Sequence, residues 1–180
     1  MLITVSGLPG SGTSTISRLL AESYELELIS SGEVFRRIAK EKGMTLSEFG
    51  AMAEKDPSID LAIDKNQRAI IRSQDNVVLE SRLAGHMAMG VPNVIKIWMK
   101  APLPVRVKRI QKREKTSSFE VEFEKTVERE KSEALRYKNY YNIDISDLSI
   151  YDIVIDSEKW NQYQALDILR VAIDFLIGPE

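Results

Sequence analysis

Residues 7 to 14 read Gly-Leu-Pro-Gly-Ser-Gly-Thr-Ser and directly follow the apolar run Leu2-Ile3-Thr4-Val5. A strand, a glycine-rich loop and a helix start in that order wrap backbone N–H groups around phosphate at a helix N-terminus. The pattern G-x-x-x-x-G-[K]-[ST] is met at Gly7, Gly12 and Ser14, with Thr13 where lysine is usual. Gly7, Gly10 and Gly12 let the backbone turn sharply and approach an anion, and Ser14 is placed to set its hydroxyl on Mg²⁺. A glycine-rich turn closing a βα unit is the plainer alternative. Threonine brings a hydroxyl but no charge, so the missing cation is expected from arginines elsewhere.

Four further groups could serve a phosphate. Ser31 and Arg36, in Ser30-Ser31-Gly32-Glu33-Val34-Phe35-Arg36, sit where a strand hands over to a helix, and Arg36 could grip a second phosphate. Ser31 could equally be the N-cap of that helix. Glu80, closing Val77-Val78-Leu79-Glu80, suits a second contact to Mg²⁺ or is a charged strand end, and Arg82 follows two residues later. Arg106, Arg109 and Arg113 share a helix face by spacing, as do Arg129, Glu133 and Arg136. Phosphoryl transfer needs chiefly positioning and cations around the moving group, although i,i+4 charge pairing on a solvated helix reads the same way. His86 is expected to be structural or exposed, and Tyr137, Tyr140 and Tyr141 to pack where the arginine-rich segment rejoins the core.

These side chains need a frame. Five short apolar runs, Leu2–Ser6, Glu25–Ile29, Val77–Glu80, Val94–Met99 and Ile153–Ile155, read as strands buried on both faces. Helical patterns alternate with them. Ser14 to Ser23 sets Ile16, Leu19 and Leu20 on one side, and Asn161 to Ile177 aligns Leu166, Leu169, Ile173 and Leu176. That alternation predicts a doubly wound α/β fold with a parallel sheet. Two long stretches, 33–74 and 113–149, exceed plain crossovers and suggest an acceptor clamp and a lid. Trp98 and Trp160 are expected in or beside the core.

The composition bounds the function. The chain has 180 residues, 43% hydrophobic and 29% charged, which suits one domain with a real core. A net charge of -2 offers no basic field for nucleic acid. There is no cysteine and one histidine, which excludes disulfides and multi-histidine or cysteine metal sites. No apolar run reaches the roughly 18 residues of a membrane span, and no secretory signal pattern opens the chain. The expectation is a cytoplasmic monomer acting on small molecules, without nucleic-acid or membrane partners.

With these parts in view, the chain resembles the archaeal-type cytidylate kinases, within the nucleoside monophosphate kinases. The resemblance runs through nearly the whole chain. It rests on Gly7 to Thr15, Ser31 to Arg36, Val78-Leu79-Glu80-Ser81-Arg82-Leu83-Ala84-Gly85, Arg109 to Glu114, Arg129 to Tyr137 and Tyr151 to Asp156. It implies a three-layer P-loop kinase fold: a five-stranded parallel sheet flanked by helices, in a single domain spanning 1–180. The acceptor-binding insertion would lie near 33–74 and the lid near 113–130. It also implies transfer from Mg-ATP to CMP or dCMP. In that reading Gly7, Leu8, Pro9, Gly10, Ser11, Gly12, Thr13, Ser14 and Thr15 hold the ATP phosphates. Ser31 and Arg36 match the segment for the acceptor phosphate or ribose. Arg129, Glu133 and Arg136 match an R-x-x-x-[DE]-x-x-R element that helps bind the cytidine nucleotide in bacterial relatives. Arg109 and Arg113 match lid cations and, with Arg129, are the expected catalytic arginines. Arg82 is the candidate for the cytosine, although this chain departs from the bacterial enzymes there, reading Glu80-Ser81-Arg82 where they have an Arg-Asp motif near the third strand. Kinases of AMP, UMP or a shikimate-like acceptor, or a nucleotide-binding regulatory module, are the competing readings.

Overall fold

The computed structural model describes residues 1–73, 75–115 and 118–178, and the side chains of these except Ser47. Gln74, at the end of the expected acceptor insertion, and Thr116 and Ser117, inside the expected lid, lie outside the described residues. Five parallel strands form one sheet in the order β2-β3-β1-β4-β5. They are β1 (Leu2–Gly7), β2 (Glu27–Ser30), β3 (Val77–Glu80), β4 (Val94–Lys100) and β5 (Ile153–Asp156). The helices are α1 (Thr13–Ser23), α2 (Ser31–Glu41), α3 (Leu46–Lys55), α4 (Pro57–Ser73), α5 (Ala84–Met87), α6 (Leu103–Glu114), α7 (Phe119–Tyr141) and α8 (Gln162–Ile177).

The central strand β1 is buried throughout, as a strand covered by helices on both faces must be. Its side chains alternate between two cores. Ile3 and Val5 join Ile97 and Ile155 under α1 and α8, where Ile16, Leu20, Leu169 and Ile173 are seated. Leu2 joins Val77, Leu79 and Val94 on the other face, beneath Ile70 and Ile71 of α4 and Tyr137 of α7. Each fully buried Leu or Ile contributes roughly 1.5–3 kcal/mol, so packing rather than propensity seats these helices.

Local chemistry sets where the helices begin. The Ser30 side chain accepts from Glu33 N–H and caps α2, so Ser31 is the first helical residue and not the N-cap. Thr45 with Glu48, and Asn161 with Gln164, form reciprocal capping boxes for α3 and α8. Ser118 caps α7.

Three sequence expectations need correction. β2 begins at Glu27, because Glu25 has a φ of 53° and belongs to the turn before it. Leu176 is 56% exposed: by helix angle it shares the face of Ala165, Leu169 and Ile173, but it sits in the last turn of α8, where Phe175 and Ile177 are exposed as well. Trp98 is buried, but Trp160 is 44% exposed and stands beside a cavity rather than in the core. The two long stretches are helical. α2, α3 and α4 occupy the first, while α6 and α7 meet across the second.

Candidate active site

Side chains hold the carbonyls of the loop after β1. Arg82 Nη1 donates to Gly7 O at 2.8 Å, Arg106 Nη1 to Pro9 O at 3.1 Å, and Arg109 Nη1 to Gly10 O at 3.3 Å. Ser157 Oγ donates to Ser11 O at 2.7 Å and is itself gripped by Arg109, whose two terminal nitrogens reach its hydroxyl and carbonyl at 2.7 Å each. Leu8 O accepts from Ser11 N and Gly12 O from Ile16 N. Every carbonyl from Gly7 to Gly12 thus has a donor. Among the described residues, the N–H groups of Gly10, Gly12, Thr13 and Ser14 have no protein acceptor outside regular helix or strand bonding. Those same residues line a cavity of about 600 Å³. Gly12 is the N-cap of α1 and offers no capping side chain, so the first-turn donors are left for a ligand. Gly10 has a φ of 81°, and a Cβ there would meet Arg106 O at 2.5 Å.

Thr13 and Ser14 face one carboxylate. Thr13 Oγ1 donates to Glu80 Oε1 at 2.8 Å and Ser14 Oγ to the same oxygen at 3.2 Å, while Ser30 Oγ hydrogen-bonds Glu80 Oε2. Neighbouring oxygens in an octahedral Mg²⁺ shell are about 3.0 Å apart, so the Ser14–Glu80 pair fits one edge of such a shell. Among the described residues no group of three or more His, Cys, Asp or Glu could hold a metal by itself. An ion taken by two protein oxygens and otherwise by phosphates and water is the arrangement Mg²⁺ favours.

A second cavity begins at the same loop and runs between α2, α4 and α7. Arg36 and Arg113 line both cavities, and Arg129 lines the second. Burial, and the charges of Arg113 and Arg129, pull the Arg36 guanidinium below its ordinary value, with Glu80 and Glu33 opposing. Three cations crowd a junction without full neutralisation, which suits a polyanion. Ser31 lines the second cavity beside them.

The far wall is made of ion pairs. Arg82 Nε and Arg129 Nε both donate to Glu133, each at 2.9 Å. Burial alone would raise the Glu133 carboxyl, but the two guanidiniums outweigh it and bring it down to about 2. Arg136 Nε donates to Asp60 at 2.7 Å, with both side chains buried. Tyr141 hydrogen-bonds Asp64, and Tyr140 donates to the carbonyls of Ala53 and Glu54 at 3.0 Å. The tyrosine cluster therefore fastens α7 to α3 and α4 by hydrogen bonds as well as packing.

The structure separates the expected arginines. Arg36, Arg82, Arg113, Arg129 and Arg136 line the second cavity with Ser31, Glu80 and Glu133. Arg109 lies along the first and is engaged with the loop and Ser157. Arg106, on the same helix face by spacing, is buried and paired with Glu130 behind the loop. Half-buried His86 stacks edge-on to Tyr151, away from both cavities. Sequence reasoning missed Ser157, Trp160 and the row Asp60, Asp64 and Gln67. Only the row left a signal, its i, i+4, i+7 spacing on one helix face.

A phosphate-binding loop between the first strand and helix of a five-stranded parallel sheet, with an arginine-lined cleft beside it, defines the P-loop kinase fold. The sheet and its helices superpose on shikimate kinase from Bacteroides thetaiotaomicron with a TM-score of 0.62, at 10% identity over 96% of this chain and 98% of that one. An uncharacterised protein from Eubacterium ventriosum superposes with a TM-score of 0.71, at 20% identity over 97% and 98%. The model of the cytidylate kinase-like family matches residues 2–159, and the chain belongs to that family. Cytidylate kinase of Methanosarcina acetivorans is 81% identical over the full length of both chains. That of Methanocaldococcus jannaschii is 49% identical over 98% of this chain and 99% of its own.

Proposed function

We propose that the protein transfers the γ-phosphoryl group of Mg-ATP to the phosphate of CMP or dCMP, giving ADP and CDP or dCDP. The observation that carries this reading is the junction: Arg36 and Arg113 line both the loop cavity and the second cleft. A phosphoryl group passing between two nucleotides must cross that point. ATP phosphates lie against the N–H groups of Gly10, Gly12, Thr13 and Ser14, and the acceptor phosphate lies against Arg36 and Ser31. The acceptor oxygen is already anionic, so no strong general base is needed. Arg36, Arg113 and Arg129 stabilise charge spread over the transferring group and supply what Thr13 lacks. Ser14 and Glu80 would hold Mg²⁺, which neutralises the β- and γ-phosphate oxygens. Closing α6 and α7 over the junction excludes water and suppresses idle hydrolysis. Action as a monomer in the cytoplasm belongs to the same proposal.

The test is ADP release from Mg-ATP with CMP, dCMP, UMP, AMP, shikimate or no acceptor. Turnover confined to CMP and dCMP supports the reading. Turnover with another acceptor keeps the mechanism and moves the substrate. ATP binding without any acceptor-dependent turnover overturns it in favour of a regulatory module.

A further inference from the structure

The buried stripe of α4 changes character along its length. Ile70 and Ile71 enter the core, whereas Asp60, Asp64 and Gln67 line the acceptor cleft at 7%, 7% and 2% exposure. Burying two carboxylates and an amide is costly unless each is satisfied. Their partners also set their orientation. Leu83 N donates to Ser81 Oγ at 3.2 Å, and Ser81 Oγ donates to Gln67 Oε1 at 2.5 Å. The Gln67 amide nitrogen therefore points the other way, and one of its hydrogens goes to Asp64 Oδ1 at 2.9 Å. Asp64 Oδ2 accepts from Tyr141. Each partner retains capacity: an amide nitrogen has two hydrogens and a carboxylate about four lone-pair sites. The cleft thus presents an acceptor beside a donor.

Charge orients the ligand in the cleft. Arg36 has Arg113 and Arg129 as its cationic neighbours. Asp64 is faced by Asp60, Arg68, Arg136 and Tyr141 instead. A phosphate belongs at the first end, which leaves the second for the base. Arg82 is committed to Glu133 and to Gly7 O, so base reading falls to other side chains.

We propose that Asp64 and Gln67 read the amino edge of the acceptor base. Asp64 accepts from the exocyclic amino group, and Gln67 donates to the adjacent ring nitrogen. Cytosine presents that order, whereas uracil presents a carbonyl beside an N–H and meets acceptor with acceptor. Adenine shares the amino edge, so the pair separates amino from oxo bases. This inference rests on the acceptor reading above.

The wild-type protein decides it first. Values of kcat/KM are compared for CMP, UMP and pyrimidin-2-one ribonucleoside 5′-monophosphate, which is CMP without its amino group. The last two are expected to fall about 10- to 100-fold below CMP. Asp64→Asn, which places an amide where the carboxylate stood, is expected to raise the UMP-to-CMP ratio of kcat/KM by a similar factor. CMP turnover with no loss for the des-amino analogue overturns the inference and leaves the acceptor reading standing. Equal losses for CMP and UMP in Asp64→Asn show a purely structural tie between α4 and α7, and overturn it too. Absence of any CMP turnover overturns both. The analogue comparison needs no variant, so a misfolded Asp64→Asn protein does not block the result.

Discussion

The phosphate loop and the acceptor cleft share Arg36 and Arg113 but are made of different material. The loop is a backbone device. Four of its carbonyls are taken by Arg82, Arg106, Arg109 and Ser157, and the N–H groups of Gly10, Gly12, Thr13 and Ser14 are left for a ligand. The cleft is a side-chain device, in which Arg82 and Arg129 are paired with Glu133, and Arg136 is paired with Asp60 between α7 and α4. The loop is ready for phosphate as it stands. Under the proposed function the cleft would exchange some of its internal pairs for contacts with the acceptor, and its charges would then carry both stability and recognition.

This contrast is broken most severely at Arg136. Its pair with Asp60 is buried on both sides, and removing one partner of such a pair costs about 3–5 kcal/mol. Arg136→Met is expected to lower the urea midpoint accordingly, and Arg136→Met with Asp60→Leu to recover most of the loss. No recovery would mean that the pair is not the source of the cost. On the loop side, Gly10→Ala forces a Cβ against Arg106 O at 2.5 Å with φ at 81°. A backbone shift of that order at a reacting centre is expected to lower ATP-dependent turnover about 100-fold. CMP affinity, read by calorimetry, should stay near wild type. If it falls in parallel, the two devices are not separable.

The same contrast explains what could be read from the chain. Gly7 to Ser14 are contiguous, and their spacing alone implies the loop, because its geometry is local backbone geometry. The strands were equally legible as apolar runs. The wall of the cleft was not. Arg136 meets Asp60 across 76 residues, Tyr141 meets Asp64 across 77 and Arg82 meets Glu133 across 51. Helix spacing placed Arg129, Glu133 and Arg136 on one face but could not say what faced them. It also grouped Arg106 with Arg109 and Arg113, although Arg106 is a buried brace behind the loop. Trp160 was misplaced for a related reason, since side-chain type favours burial while its exposure depends on a cavity formed by distant segments.

Acid titration offers a finer test, because two carboxyls of the cleft respond with opposite sign. Glu133 is brought down to about 2 despite its burial. The unfolded chain therefore binds more protons than the folded one between its ordinary value and about 2. The stability Glu133 contributes is complete above that window and is lost as pH falls through it. Asp64 is pushed up to about 6, first by burial and then by Asp60, against Tyr141 and two arginines. The folded chain binds the extra proton here, so stability falls as pH rises from the ordinary aspartate value through 6. Relative to wild type, Glu133→Gln should thus lose less stability on acidification below its ordinary titration range. Asp64→Asn should lose less on raising the pH toward neutrality. Urea midpoints across pH 3 to 7 would show these opposite trends, and parallel trends would remove the distinction between an arginine-dominated and a burial-dominated end.

Thr13→Lys is expected to have the smallest effect and bears on how the two regions divide the work. Loss of one well-placed donor at a charged centre ordinarily costs about 10²–10³ in turnover. A loop lacking its cation should therefore gain greatly when lysine is restored, unless the charge is supplied elsewhere. Thr13 Oγ1 already lies 2.8 Å from Glu80, so a lysine begins beside a carboxylate that draws its ammonium away from the phosphates. Arg36 and Arg113 meanwhile line both cavities. If they provide the charge, Thr13→Lys changes kcat by less than about tenfold, well inside that donor-loss range. A gain near 100-fold, of the size that range describes, would instead show a loop limited by its missing cation, and the junction arginines would then serve the acceptor alone.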